Sequence, residues 1–313
     1  MSNWKPGGRF EWLRLRARIQ ADIRDFFAAR GVTEVSTPLL TTCGVTEAQI
    51  HSLELAGGAG FLRTSPEYFH KRLLAAGFGD LYELGPVMRA AEHGRLHRPE
   101  FTLLEWYRLG LDWEQLARET LDLIEHCSAR VGQRWTSKLV AWQALFIDTL
   151  GFDPLSLAEN EGAEQKLMAM TSDLPSDCDR VMRLDYLMAT QIQPGLPHDQ
   201  LTVIHHYPAD LAALAELEPR DPRLARRFEV FAGSVELANG YQELRDPQEQ
   251  AQRFERDNRR RRALGLRSMP VDHALLAALT HGLPPCSGVA LGFDRLMMVL
   301  TGARELSEVV AFG

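Results

Sequence analysis

The stretch FEVFAGSVELANGYQEL, residues 228–244, carries Glu229, Glu236 and Glu243 among Phe, Val and Leu side chains. A carboxylate buried among such neighbours is costly unless something answers its charge. FEVF and VELA flank the turn-like AGS, so the segment reads as a hairpin. A two-residue connection places Glu229 directly across from Glu236, where like charges destabilise a sheet. A hard cation between them reverses that sign, and Mg²⁺ takes carboxylate oxygens together with phosphates. Glu243 follows Glu236 by seven residues, which in an unbroken strand turns it to the other face. A bulge at Asn239-Gly240 would reset the alternation. The competing reading is a solvated face with unrelated glutamates, and the apolar neighbours weigh against it.

The segment LYELGPVMRAAEHGRLHRPEFTLLEWY, residues 81–107, gathers Arg89, Arg95, His97 and Arg98 between two strand-like runs. Arginine offers a fixed fork of donors, so such a loop could surround a polyphosphate. Phe101 opens the return strand and could stack on a base. The plain alternative is a solvated basic loop followed by a core phenylalanine. GVALGFDRLMMVL, residues 288–300, puts Gly288 and Gly292 around a strand and Asp294-Arg295 at a helix start. The aspartate reads as a cap. An arginine in the first turn opposes the helix dipole, which makes better sense if an anion or an aromatic ring lies above it. A salt-bridged surface arginine is the alternative.

These residues need elements to hold them. Residues 9–31 form an amphipathic pattern, with Leu15, Ile19, Ile23 and Phe26 at helical spacing and Gly31 placed to stop it. VTEVSTPLLT follows as an extended segment. GFLRTSPEYFHKRLLAAG changes from strand to helix at Ser65-Pro66. DLYELGPVMRA and EFTLLEWYRLG read as strands, and residues 112–132 as a helix capped by Asp112. Residues 136–227 mix short helical runs with breakers, around a strand at LTVIHHYP. A helix opened by Asp246-Pro247, a short helix at HALLAALTHG and a strand-to-helix tail complete the order. That order predicts an α+β domain, a mostly antiparallel sheet with helices against it. There is no Gly-rich turn with regular βαβ alternation and no GxxxxGKS/T loop, so a nucleotide must be held by other means.

The totals agree. The 313 residues suit one large domain or two modest ones, and 45% hydrophobic with 25% charged residues describes a globular chain. A net charge of -7 supplies no general electrostatic hold on a long nucleic acid. Cys43, Cys127, Cys178 and Cys286 form no CxxC pair or zinc spacing, as expected of reduced thiols in a cytoplasm. No apolar run approaches the roughly 20 residues that cross a bilayer, and MSNWKPGGRFEW holds no signal-peptide core.

Taken in order, these segments resemble the class II aminoacyl-tRNA synthetases, and within them the catalytic domain of lysyl-tRNA synthetase. The first helix with VTEVSTPLLT resembles motif 1, with Pro38 at a dimer interface; residues 81–107 resemble motif 2 and residues 288–300 motif 3. VELANGYQELRDPQEQAQRF is similar to the lysine-type signature between them. The resemblance implies that Arg89 touches the α-phosphate and substrate carboxylate, and that His97 approaches the terminal phosphates. It implies that Phe101 stacks under adenine while Arg295 covers its other face. Glu229 and Glu236 would hold Mg²⁺ on ATP, and Glu67 would bind a substrate amino group. Glu105, Tyr107, Asn239, Tyr241 and Glu243 would shape a pocket for a lysine-like side chain, with Glu243 on the distal ammonium.

The chain departs from a lysyl-tRNA synthetase in ways that matter. Its motif 1 helix starts near residue 9, leaving no room for an anticodon-binding OB-fold before a single domain spanning 1–313. In this it resembles the freestanding paralogues that ligate (R)-β-lysine to translation elongation factor P, and SEVVAFG resembles their C-terminus. The resemblance implies an AMP-forming ligase, a cytoplasmic homodimer with elongation factor P as protein substrate and not tRNA, and no membrane. Ala290 stands where the synthetases have glycine, and its methyl would trim the pocket near the substrate α or β carbon. Glu92 comes three residues after Arg89 rather than two, so it reaches the adenine side only through a shifted loop. Ser65, where the synthetases usually have alanine, reads as a further pocket adjustment.

Overall fold

The computed structural model describes residues 4–90 and 94–312. Along the chain run α1 (Phe10–Ala28), β1 (Thr33–Glu34), β2 (Leu40–Thr41), β3 (Leu53–Glu54), β4 (Phe61–Leu62), α2 (Glu67–Ala75), β5 (Leu81–Met88), β6 (Glu100–Leu109) and α3 (Trp113–Ala129). Next come β7 (Thr136–Ala141), α4 (Trp142–Leu150), α5 (Glu161–Met170), α6 (Arg180–Leu187), β8 (Gln200–Pro208), β9 (Leu217–Glu218), β10 (Asp221–Ala232) and β11 (Val235–Gln242). The chain closes with α7 (Pro247–Ala263), α8 (His273–Gly282), β12 (Cys286–Gly292) and α9 (Phe293–Thr301). The fold is α+β. It divides into two compact units, one of residues 1–134 with 243–313 and one of residues 135–242.

In the first unit the strands run β1-β5-β6-β12. β1 is parallel to β5, and the other pairs are antiparallel. α1 buries Ile19, Ile23, Phe26 and Phe27, a stripe at helical spacing, against this sheet. Phe27 stacks on Tyr82 at 4.3 Å between centroids and meets Trp106 edge-on at 5.4 Å. Each such buried side chain contributes roughly 1.5–3 kcal/mol. α3 opens with a capping box in which Asp112 and Gln115 satisfy each other's backbone N–H groups. The expected extended run VTEVSTPLLT is broken: only Thr33–Glu34 pairs with β5, while Leu40–Thr41 joins a small separate sheet ordered β2-β4-β3. Pro38 lies between the two pieces and has no N–H to continue a ladder.

The second unit has strands in the order β11-β10-β8-β7, with β9 on β10. β7 and β8 are parallel, which requires the long crossover that α4, α5 and α6 provide. Trp142, Phe146, Leu167, Leu184, Leu187, Ile204 and Phe231 form its core. The helical segment expected over 136–227 lies inside this unit, which also takes in the 228–242 hairpin.

Candidate active site

The alternation of β6 creates the site. Leu104 and Trp106 are fully buried, Trp106 against Phe27 of α1, so Phe101, Leu103, Glu105 and Tyr107 share the opposite face. In register with them stand Glu83 beside Glu105 from β5, and Gly288 and Ala290 beside Tyr107 and Glu105 from β12. Two carboxylates directly opposed on a buried face repel unless each is answered. Glu83 accepts from Arg63 at 2.8 Å, from Thr37 Oγ1 at 2.7 Å, and lies 3.0 Å from His70 Nε2. Burial pushes the Glu83 carboxyl up, but the hydrogen bonds from His70, Arg63 and Thr37 outweigh it and hold it at about 2. Among the described residues no arginine or lysine pairs with Glu105, and His70 Nδ1 stands 3.8 Å from its Oε1. It accepts from Ser65 Oγ at 2.7 Å and from the Tyr107 hydroxyl at 2.9 Å. Burial and the nearby Glu67 push its carboxyl up to about 8. Burial also pulls the His70 imidazole down, so it stays neutral between the two carboxyls.

Ser65 couples this face to α2. Its hydroxyl oxygen also accepts from the Glu67 backbone N–H at 3.0 Å, so the residue that orients Glu105 also starts the helix carrying Glu67. Glu67 is paired with Lys71 one turn along at 2.6 Å, and Lys71 reaches Glu243 at 2.7 Å. Lys71 is fully buried. Burial pulls its ammonium down, but Glu243 and Glu67 outweigh that and raise it above its ordinary value. Glu243 is itself fully buried, with its backbone N–H on the Cys286 carbonyl at 3.1 Å. Gly288 is required here: a Cβ would come 2.3 Å from Tyr107 Cε1 and 2.4 Å from Glu243 Oε1. Ser65, Glu67, Glu105, Tyr107, Glu243 and Ala290 are thereby brought into one neighbourhood.

The basic residues gather beyond Phe101. The Arg89 guanidinium lies 5.1 Å from the Phe101 ring centroid, and its Nε donates to the Thr64 carbonyl at 3.3 Å. Arg295 donates from Nε to the Leu96 carbonyl at 3.2 Å, and its terminal nitrogen is 2.8 Å from His97 Nε2. An arginine only donates, so His97 accepts there as a neutral imidazole. Asp294 does not cap α9 as expected. Gly292 holds the N-cap position, and the Asp294 carboxylate accepts from Arg16 and from the Thr102 N–H at 2.9 Å. The aspartate thus ties the helix bearing Arg295 to α1 and to the strand bearing Phe101. A cavity of about 220 Å³ opens beside His97, Arg98 and Pro99, against Glu305 to Ser307. The expected adenine-side residue Glu92 lies outside the described residues.

In the second unit the hairpin forms, but its register differs from the expected one. Gly233-Ser234 makes the two-residue connection, and Glu229 faces Asn239, while Glu236 faces Phe231. An irregularity between Val230 and Phe231 leaves Leu237 as the extra residue of β11. The bulge therefore precedes Asn239-Gly240, and it sets Glu236, Asn239 and Tyr241 on the same face as Glu229. The burial of the adjacent Leu237 and Ala238 marks the break in alternation. Glu229 accepts from the Tyr207 hydroxyl at 2.6 Å and from Arg227. Burial raises its carboxyl, Arg227 opposes that, and Glu236 adds to it. Asn239 Oδ1 is buried without a hydrogen bond among the described residues.

Sequence reasoning overlooked Lys71, Arg63, His70 and Glu83. Lys71 was legible as the fourth residue after Glu67 on a helix, the spacing of an ion pair. Glu83 was legible as a carboxylate inside the apolar run LYELG.

The family model described as tRNA synthetases class II (D, K and N) matches residues 8–313. A protein of Photorhabdus laumondii named elongation factor P–(R)-β-lysine ligase is 45% identical, covering 99% of this chain and 97% of its own. Proteins of the same name from Hamiltonella defensa and Vibrio vulnificus are 43% and 42% identical, each over 99% of this chain, and the matches cover 97% and 98% of their own lengths.

Proposed function

The chain belongs to the class II tRNA synthetase family, among relatives named elongation factor P–(R)-β-lysine ligase, and on that premise we propose that it activates (R)-β-lysine with ATP and transfers it to a lysine ε-amino group of elongation factor P. The observation that carries the reading is the carboxylate cluster of buried Glu105 and Glu243 with half-buried Glu67, closed by Tyr107 and Ser65. Such a cluster suits a substrate with two ammonium groups and penalises neutral side chains.

The substrate carboxylate attacks the α-phosphorus, pyrophosphate leaves, and an aminoacyl-adenylate forms. The acceptor lysine amine then attacks the acyl carbon and AMP leaves. The first step needs no general base, because the carboxylate is ionised at neutral pH. Arg89 meets the α-phosphate, Phe101 takes the adenine, and Arg295 with His97 meets the terminal phosphates. Catalysis is then mainly alignment and charge stabilisation. Ala290, in register with Glu105, trims the space beside the substrate backbone.

Glu229 and Glu236 offer hard oxygen donors on one face of their hairpin, and the raised Glu229 carboxyl is a group that a cation would relieve. They would hold Mg²⁺, which neutralises phosphate charge when bound. Asn239, with its unanswered Oδ1, and Tyr241 would face the amino acid. Leu39 and Leu40, exposed beside Pro38, would meet a second copy in a homodimer. Among the described residues no helix is long and apolar enough to cross a membrane; a translation factor as acceptor would set the work in the cytoplasm.

The names of the relatives do not favour the rival readings, a tRNA-charging enzyme or a silent regulatory paralogue. Amino-acid-dependent pyrophosphate exchange tests the first step. Exchange with (R)-β-lysine exceeding that with α-lysine supports the reading, and exchange with neither rejects it.

A further inference from the structure

We propose that Lys71 is a positioning residue of the amino-acid pocket: its buried ammonium bridges Glu67 and Glu243 and holds both carboxylates in place for the two ammonium groups of the incoming diamino acid. The inference rests on the functional reading above and extends it to a residue that does not itself touch the reacting atoms. Lys71 stands one helical turn after Glu67, 2.6 Å from its Oε1, and 2.7 Å from Oε2 of Glu243. It engages one oxygen of each carboxylate, and a carboxylate accepts through both. Of the four lysines in the chain, Lys5, Lys138 and Lys166 are exposed and Lys71 is fully buried.

The need for such a residue follows from the charges. Glu67, Glu105 and Glu243 converge with Tyr107 and His70 where little water reaches. Before substrate arrives, carboxylates packed this way repel one another and take up protons. A protonated carboxyl is a poor partner for an ammonium. Lys71 supplies one positive charge shared between Glu67 and Glu243, whereas burial and the nearby Glu67 raise the Glu105 carboxyl. The arrangement also separates roles on one helix face: Glu67 presents the charge, and Lys71 holds it in place.

Lys71→Met keeps the bulk and removes the charge. In pyrophosphate exchange it is expected to raise KM for (R)-β-lysine at least tenfold while KM for ATP changes less than twofold. An unchanged KM for (R)-β-lysine in a folded variant overturns the proposal. Inactive wild-type protein would sink the functional reading instead. If the variant does not fold, lysine side-chain ¹⁵N resonances of the wild type decide. One slowly exchanging ammonium that shifts on adding (R)-β-lysine supports the role, and an ammonium indifferent to the diamino acid overturns it.

Discussion

Glu83 and Glu105 face each other directly across β5 and β6, both buried, yet one is held at about 2 and the other raised to about 8. Arg63, His70 and Thr37 answer the first, while the second accepts from the Ser65 and Tyr107 hydroxyls, with His70 Nδ1 3.8 Å away. The two carboxyls of the pair are therefore shifted in opposite directions.

This asymmetry sets a pH dependence. The Glu105 carboxyl lies above its unfolded value, so its stabilising effect is full below about 4.5 and is lost as pH rises through about 8. Glu83 works the other way, stabilising above its ordinary range and losing that effect as pH falls toward about 2. Denaturant melts across pH 5 to 8 should show Glu105→Gln lacking a downward slope present in the wild type. That slope is at most about 1.4 kcal/mol per pH unit. Parallel curves for the two proteins would contradict the assignment.

Ser65→Ala removes the hydroxyl that donates to Glu105 and accepts from the Glu67 backbone. One hydrogen bond of this kind is worth about 1 kcal/mol, so KM for the amino acid should rise about fivefold with KM for ATP unchanged. Steady-state exchange kinetics read both constants.

Gly288→Ala drives a methyl into the Tyr107 ring and the Glu243 carboxylate. Neither can retreat, since Tyr107 is buried with its hydroxyl on Glu105 and Glu243 is paired to Lys71. Overpacking of this kind costs about 1–3 kcal/mol, and exchange activity should fall about a hundredfold. A variant with wild-type activity would show that the close approach is not a feature of the working enzyme.

Ala290→Gly removes the methyl in register with Glu105. A single methyl is worth about 1–3 kcal/mol of discrimination. The ratio of kcat/KM for α-lysine to that for (R)-β-lysine should rise about tenfold, measured by exchange with each amino acid. An unchanged ratio would place the choice elsewhere in the pocket.

Much of the frame was legible in the chain. The Asp112 cap, the helical stripe of α1, and the alternation of Phe101, Glu105 and Tyr107 follow from local rules, and each stands where the spacing places it. The seven-residue spacing of Glu236 and Glu243 called for a bulge but did not place it: the pairing of the two strands makes Leu237, rather than Asn239-Gly240, the irregular position. Asp294 reads as a cap by position, yet contacts from Arg16 and Thr102, far away in sequence, claim it. Lys71 looks like half of an exposed helical ion pair until Glu243, far along the chain, closes over it.

The central claim concerns the final acceptor. Purified protein, ATP, Mg²⁺ and (R)-β-lysine, incubated with elongation factor P and separately with tRNA, can be followed by intact-protein mass and by acid-precipitable label. The account predicts one added lysyl mass on elongation factor P, lost when the acceptor lysine is replaced by arginine. Label stable on tRNA, with elongation factor P unmodified, would contradict it.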